Sequence, residues 1–243
     1  MSSNHFNLEA VDVDGAIRET AEEATQTLES EGGTRLDFFK KAGITGGALI
    51  GGGAVLGALV PGTALGRGPK GAPPSSFGVG DVGILNFALT LEYLERDFYI
   101  EATRNNRRKS FLNKGVETNF LKAVTADEKA HVKFLKAALG SAAIAKPKFD
   151  FGKTTRDRAL FLETAYQLED TGVGAYYGQA ENIADPATLK AALSIALIEG
   201  RHAGVIGEIT RGSNGIAPHG PFDRDLRADQ VLKAVAKTGF IKG

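Results

Sequence analysis

The chain has 243 residues, and its 29 acidic side chains balance its 29 basic ones. This length can bury one sizeable core and carry extensions, and the balanced charge gives no electrostatic basis for a nucleic-acid partner. Cysteine is absent, which excludes disulfides, thiolate catalysis and cysteine-based metal sites.

The N-terminal part contains two segments of different character. Residues 1–33 are polar and acidic and predict a mobile arm, with an amphipathic helix for a partner as the alternative. Residues 34–66 begin with a short basic and aromatic stretch and continue as an uncharged, glycine-rich run. The start of this segment resembles a twin-arginine export signal. The residues that fit the pattern are Arg35, Phe38, Phe39 and Lys40, whereas Leu36 stands where the second arginine belongs.

The glycine-rich run at residues 42–66 is long enough to cross a bilayer. It is interpreted as an export signal or as a membrane anchor, with a buried Gly/Ala-rich helix as the alternative. The chain is therefore expected to be exported or membrane-associated, and a cytoplasmic location is the alternative. Residues 67–80 are rich in Gly, Pro and Ser and predict a linker.

Residues 81–211 predict an all-α bundle of four helices with one long crossover connection. The expected helices cover residues 81–104, 116–138, a third span from Thr154 or Thr155 to Ile183, and residues 186–210. Asp81 is expected to cap the first helix, and Asp185 followed by Pro186 is a start signal for the fourth. The tail, residues 212–243, predicts one short helix near residues 228–236 that packs across the bundle.

Two of these helices carry acids and imidazoles among apolar residues. Glu128 and His131 lie on one helical stripe with apolar side chains, and Glu199 and His202 repeat the pattern. The i, i+3 spacing of Glu-x-x-His places both groups on one helix face, close enough to share a cation.

The sequence also repeats on a larger scale. Ala88-x-x-Leu91-Glu92 followed by Tyr99 has the same separations as Ala165-x-x-Leu168-Glu169 followed by Tyr176. Each element precedes a Glu-x-x-His helix, which predicts two helical hairpins related by a pseudo-two-fold axis. Four glutamates and two histidines would then converge in the core.

This constellation resembles the ferritin-like carboxylate-bridged dimetal proteins. The stretches Leu85–Glu95 and Glu199–Ala203 look like the bacterial and plant group that includes desiccation-related proteins. The resemblance covers residues 81–211 and implies a complete ligand set: Glu92, Glu128, His131, Glu169, Glu199 and His202. Other acids that could replace a ligand are Glu95 in the first helix, and Glu163 and Asp170 in the third.

Burial of four unpaired carboxylates would cost more free energy than a domain can supply. Two divalent cations would neutralise them, and donors rich in oxygen with two imidazoles favour iron first and manganese next. The hydroxyl groups of Tyr99 and Tyr176 are expected to reach ligand carboxylates as hydrogen-bond donors. A buried aromatic role at the edge of the bundle is the alternative for both tyrosines.

Three functional hypotheses follow. The first is a dimetal oxidoreductase that uses Fe(II) with O2 or peroxide, or dismutates peroxide with manganese. The second is a metal-binding protein of oxidative or desiccation stress, which the resemblance implies. The third is a structural or partner-binding bundle that binds metal weakly or not at all. The expected partners are metal ions and O2 or peroxide, a membrane through residues 42–66, and a second copy in a homodimer.

Overall fold

The computed structural model describes residues 71–242 and is mostly helical. The bounds of its helices are Gly80–Arg108 (α1), Val116–Leu139 (α2), Arg158–Gln179 (α3), Pro186–Arg211 (α4) and Ala228–Thr238 (α5). Two short strands, Lys148–Phe149 (β1) and Ile241–Lys242 (β2), pair antiparallel. The predicted all-α class is therefore confirmed.

The first four helices form two hairpins, α1 with α2 and α3 with α4, which pack on each other through α1 and α3 and through α2 and α4. The connection between α2 and α3 is the long crossover, and it contains a 3-10 turn at Gly140–Ala142 and strand β1. This arrangement is the four-helix bundle that the sequence predicts.

Two helix starts differ from their predicted positions. Val79, and not Asp81, occupies the cap position of α1, because the carboxylate of Asp81 accepts hydrogen bonds from the backbone N–H groups of Ala184 and Asp185. Helix α3 begins after Asp157, whose side chain caps the helix. Thr155 does not start it, since its hydroxyl donates to Glu101 on α1 at 2.6 Å.

The start of α4 agrees with the sequence pattern. The Asp185 carboxylate accepts a hydrogen bond from the backbone N–H of Thr188 at 2.6 Å, and Pro186 occupies the first turn. Proline is favoured there because its missing N–H would have no partner in the first turn. The cap fixes the register of the helix that carries the second Glu-x-x-His motif.

The C-terminal tail packs against α3 and the crossover. The Leu226 N–H donates to the Gly174 carbonyl at 2.9 Å, and a Cβ atom at Gly178 would lie only 2.1 Å from the Leu226 carbonyl oxygen. Glycine in the middle of α3 therefore permits the tail to approach the helix backbone. Beyond α5, strand β2 pairs with β1, which joins the tail to the crossover.

Residues just before α1 also belong to the packed structure. A 3-10 turn forms at Ser75–Phe77, and the Phe77 ring is buried. The Asn86 amide on α1 donates to the Phe77 carbonyl at 2.9 Å and to the Ala142 carbonyl at 2.9 Å. Part of the stretch predicted as a linker, residues 67–80, is thus in contact with the bundle.

The predicted arm at residues 1–33 and the predicted export or anchor segment at residues 34–66 lie outside the described residues. Among the helices in residues 71–242, none combines the length and the apolar character that crossing a membrane requires.

Candidate metal centre

The six side chains of the expected ligand set meet in the middle of the bundle. Each of the four main helices contributes one glutamate, and α2 and α4 add one histidine each. All four glutamates are 0% exposed, and the two histidines are 7–8% exposed. The residues are Glu92 on α1, Glu128 and His131 on α2, Glu169 on α3, and Glu199 and His202 on α4.

Tyr99 and Tyr176 donate hydrogen bonds to two of these glutamates across the bundle. Tyr99 on α1 donates its hydroxyl hydrogen to Glu169 on α3, and Tyr176 on α3 donates to Glu92 on α1 at 2.6 Å. The expected hydrogen bonds to ligand carboxylates are therefore present, each on the opposite hairpin. Glu92 on α1 pairs with Tyr176 on α3, and Tyr99, later on α1, pairs with Glu169, earlier on α3. The two helices therefore run antiparallel.

Burial raises the pKa of Tyr99 well above its ordinary value, and the charge of Glu169 raises it further. Burial likewise raises the pKa of Tyr176, with an added contribution from Glu92. Both hydroxyls consequently keep their protons at neutral pH and act as donors to the carboxylates.

The first imidazole faces three carboxylates. His131 Nδ1 lies 3.0 Å from Glu199 Oε1, 3.2 Å from Glu92 Oε2 and 3.5 Å from Glu128 Oε2. A ring nitrogen can carry only one hydrogen, so it cannot satisfy three acceptors at once.

The second imidazole has a matching environment. His202 Nδ1 lies 3.3 Å from Glu128 Oε1, 3.3 Å from Glu169 Oε2 and 4.0 Å from Glu199 Oε2. Glu128 and Glu199 thus contribute one oxygen to each side. The donor atoms form two groups, each within 4.8 Å, and these two carboxylates belong to both.

The electrostatics of this core attract positive charge. Burial lowers the pKa of His202, but the surrounding carboxylates, Glu128 and Glu169 foremost, outweigh burial and raise it to about 11. The pKa of His131 is raised in the same way. Burial raises the pKa of Glu128 to about 8, with the charge of Glu92 as the next cause. These shifts mean that the buried carboxylates attract protons to both imidazoles and to Glu128 when no other cation is present.

The donor atoms lack the partners that buried polar groups require. Within the part of the chain that the structure describes, eight oxygen and nitrogen atoms of the six residues are buried and have no partner in hydrogen-bonding geometry, although His131 Nδ1 lies 3.0 Å from a carboxylate oxygen. They include both carboxylate oxygens of Glu128 and of Glu199, and Nδ1 of both histidines. Buried polar atoms without a hydrogen-bond partner are rare in proteins unless they bind an ion. The two groups of atoms therefore have the chemistry of a metal site.

One interaction at the centre was not predicted from the sequence. Asp127 Oδ2 lies 3.1 Å from His202 Nε2, the nitrogen that points away from the carboxylates. A carboxylate in this position fixes the ring orientation and makes the other nitrogen a stronger ligand. The sequence feature that could have predicted this contact is the acidic residue directly before the first Glu-x-x-His motif. The matching position before Glu199 is occupied by Ile198, so the interaction belongs to one hairpin only.

The alternative ligands have different environments. Glu95 is 3% exposed and faces the centre. Glu163 extends to the surface, where it pairs with Arg211. Asp170 also leaves the core and pairs with His219 at 2.7 Å and with Arg224 at 2.8 Å. Of the three, only Glu95 faces the buried glutamates of the centre.

Four helices that bury shared carboxylates and paired histidines define the class of ferritin-like bundles. A sequence model of the ferritin-like domain matches residues 80–211. The chain belongs to the ferritin-like domain family, as its resemblance indicates. A comparison with curated proteins finds no match, and the closer resemblance to desiccation-related proteins stays a prediction.

Proposed function

We propose that this protein binds two metal ions and uses them in a reaction with O2 or peroxide. Iron is the first choice of metal and manganese is the second. The observation that supports this proposal is the set of eight buried donor atoms without partners, arranged in two groups that share Glu128 and Glu199. Two divalent ions carry the four positive charges that four buried carboxylates require. A pair of such ions supplies or accepts two electrons, one for each ion.

The side chains of the protein would hold the ions and control their surroundings. Glu92 and His131 would serve one ion, Glu169 and His202 the other, and the two shared carboxylates would fix the separation between them. Tyr99 and Tyr176 would keep the unshared glutamates oriented by hydrogen bonds. The burial of all these groups keeps bulk water from the centre, which strengthens the electrostatic attraction between ligands and ions.

Metal analysis of the full-length protein tests the binding part of this proposal. The wild type is expected to retain about two ions per chain after loading with Fe(II) or Mn(II) under anaerobic conditions. Glu128→Ala and His202→Ala are expected to lose metal. Glu163→Ala is the matched control, because Glu163 is a glutamate of α3 whose side chain is 49% exposed and pairs with Arg211. Wild-type protein without bound metal would overturn the proposal.

Consumption of O2 or peroxide by the loaded protein tests the chemical part. Rapid consumption that His202→Ala loses and Glu163→Ala keeps would support an oxidoreductase. Bound metal with slow or incidental turnover would support the protective role in oxidative or desiccation stress, for which the family resemblance is the basis. Both outcomes are compatible with metal binding, and they separate the first two hypotheses.

The location and assembly of the protein are further parts of this proposal. Export or membrane association rests on residues 34–66, and a homodimer is the proposed assembly. Cell fractionation tests the location, with Leu36→Arg as a variant that restores the second arginine of the export pattern. Cytosolic accumulation of both forms at full length would contradict export. Sedimentation of the purified protein tests the assembly.

A further inference from the structure

Glu95 is a fifth carboxylate beside the four that the proposed centre uses. It lies on α1 one turn after Glu92 and one turn before Tyr99, and it is 3% exposed. Within residues 71–242 its carboxyl group forms no hydrogen bond or ion pair. Burial raises its pKa well above the ordinary value, and the charge of Glu199 adds to this. A buried acid without a partner is costly to the fold, so a role at the centre would explain it.

The opposite helix leaves room for this side chain. Gly172 lies on α3, one turn after Glu169. A Cβ atom at Gly172 would be 3.2 Å from Glu95 Oε1 and 3.6 Å from Glu199 Oε2. Oxygens of both carboxylates therefore share the space beside this glycine.

The same glycine breaks the internal repeat. Glu92 and Glu169 are 77 positions apart, and the same separation leads from Glu95 to Gly172. The second hairpin therefore has no carboxylate equivalent to Glu95. The extra acid is a property of one side of the centre.

We propose that Glu95 is a seventh protein ligand, which binds the ion held by Glu169 and His202 and makes the two ion sites unequal. This inference rests on the proposed function. The choice of this ion follows from Glu199. Its Oε1 lies 3.0 Å from His131 Nδ1, whereas its Oε2, which is near Gly172 as Glu95 Oε1 is, lies 4.0 Å from His202 Nδ1. Glu95 belongs to neither of the two groups, in each of which the ligand atoms lie within 4.8 Å of one another. Its side chain would have to turn toward the ion to bind it.

Anaerobic titration of the metal-free, full-length protein with Co(II) tests this inference. Two variants remove the interaction in different ways: Glu95→Gln removes the charge and keeps the shape, and Gly172→Ala places a methyl group against Glu95. Glu163→Gln is the control on the surface of α3. The measurements are the two dissociation constants and the visible spectrum, because Co(II) absorbs more strongly as its coordination number falls.

The expected result is selective. Both variants are expected to bind two Co(II) ions, to raise one dissociation constant about tenfold, and to absorb more strongly than the wild type. The double variant is expected to resemble Glu95→Gln, because both changes act on one interaction. Unchanged constants and spectrum in folded Glu95→Gln protein, checked by circular dichroism, would overturn the seventh ligand. A wild type that binds no Co(II) would instead overturn the metal centre itself.

Discussion

The two helical hairpins supply the same candidate ligands but differ in the residues around them. Each provides one glutamate from its first helix and a Glu-x-x-His pair from its second. The α1–α2 hairpin also carries Glu95 beside the centre and Asp127 on the ring of His202. The α3–α4 hairpin has Gly172 and Ile198 at the equivalent positions.

Under the proposed function, this difference separates the residues that would hold the ions from the residues that would adjust their affinity. The matching part is buried and acidic, and eight of its oxygen and nitrogen atoms have no partner in hydrogen-bonding geometry among the described residues, so the two proposed ions would depend on it. The differing part changes the donors around one ion only, since Glu95 and Asp127 both act on the side of His202. We therefore expect substitutions in the shared part to affect both ions and substitutions in the differing part to affect one.

The largest expected effect comes from the shared carboxylates. Glu199→Gln is expected to remove both ions, because this carboxylate serves both donor groups. Glu169→Gln is expected to leave about one ion per chain, since Glu92 and His131 keep the other. Elemental analysis after gel filtration measures both variants. Equal loss in the two variants would contradict the division into two sites.

The second effect concerns the stability of the fold, whose dependence on pH is expected to have opposite signs in the metal-free and the metal-bound protein. The folded pKa of Glu128 is raised from 4.5 to about 8, so the folded protein binds a proton that the unfolded chain releases. Its stabilising contribution, on the order of a few kcal/mol, is present at acid pH and is lost as the pH rises from about 4.5 to about 8. His202 has the same sign, with a folded pKa of about 11.

We therefore expect the metal-free protein to become less stable between pH 5 and pH 8. The stabilisation by bound Mn(II) is expected to increase over this range, because its ligands must lose protons. Thermal unfolding of the two forms measures the contrast, and Glu128→Gln should flatten the metal-free curve. The range starts at pH 5 because two groups have the opposite sign in acid. Despite burial, His131 lowers the pKa of Glu92 and Arg158 lowers the pKa of Glu117. A metal-free protein that gains stability up to pH 8 would refute the prediction.

The sequence predicts the symmetric part of the molecule better than the rest. Glu-x-x-His spacing and the repeat around Glu92 and Glu169 locate the helices and bring the expected ligands together, because helical period alone places those groups on one face. The cross-bundle pairing of Tyr99 was not predicted, since it depends on how α1 and α3 are opposed. Asp81 was misassigned because a carboxylate in a first turn can accept hydrogen bonds from another loop as readily as from its own helix.

The tyrosine hydrogen bonds provide an effect of intermediate size. Tyr99→Phe removes the hydrogen bond to Glu169 and is expected to weaken binding of one ion about tenfold. Tyr176→Phe removes the hydrogen bond to Glu92 and is expected to weaken binding of the other ion by a similar factor. Calorimetric titration with Co(II) measures both constants. The double variant should be additive, because each tyrosine acts on a different ion. Strong non-additivity would mean that the hydrogen bonds stabilise the bundle as a whole.

The smallest effect tests the difference between the hairpins most directly. Asp127→Asn is expected to weaken binding of only the ion at His202, by about threefold. The effect is small because the Asp127 side chain is 47% exposed and solvent screens its charge. Ile198→Asp places a carboxylate at the position of the repeat that corresponds to Asp127. If this carboxylate reaches His131, it is expected to strengthen binding of the other ion. The NMR signals of the ring N–H groups report whether each added or removed carboxylate reaches its histidine. If Asp127→Asn weakened both ions equally, Asp127 would act through the fold of α2 rather than through His202, and the proposed inequality of the two sites would rest on Glu95 alone.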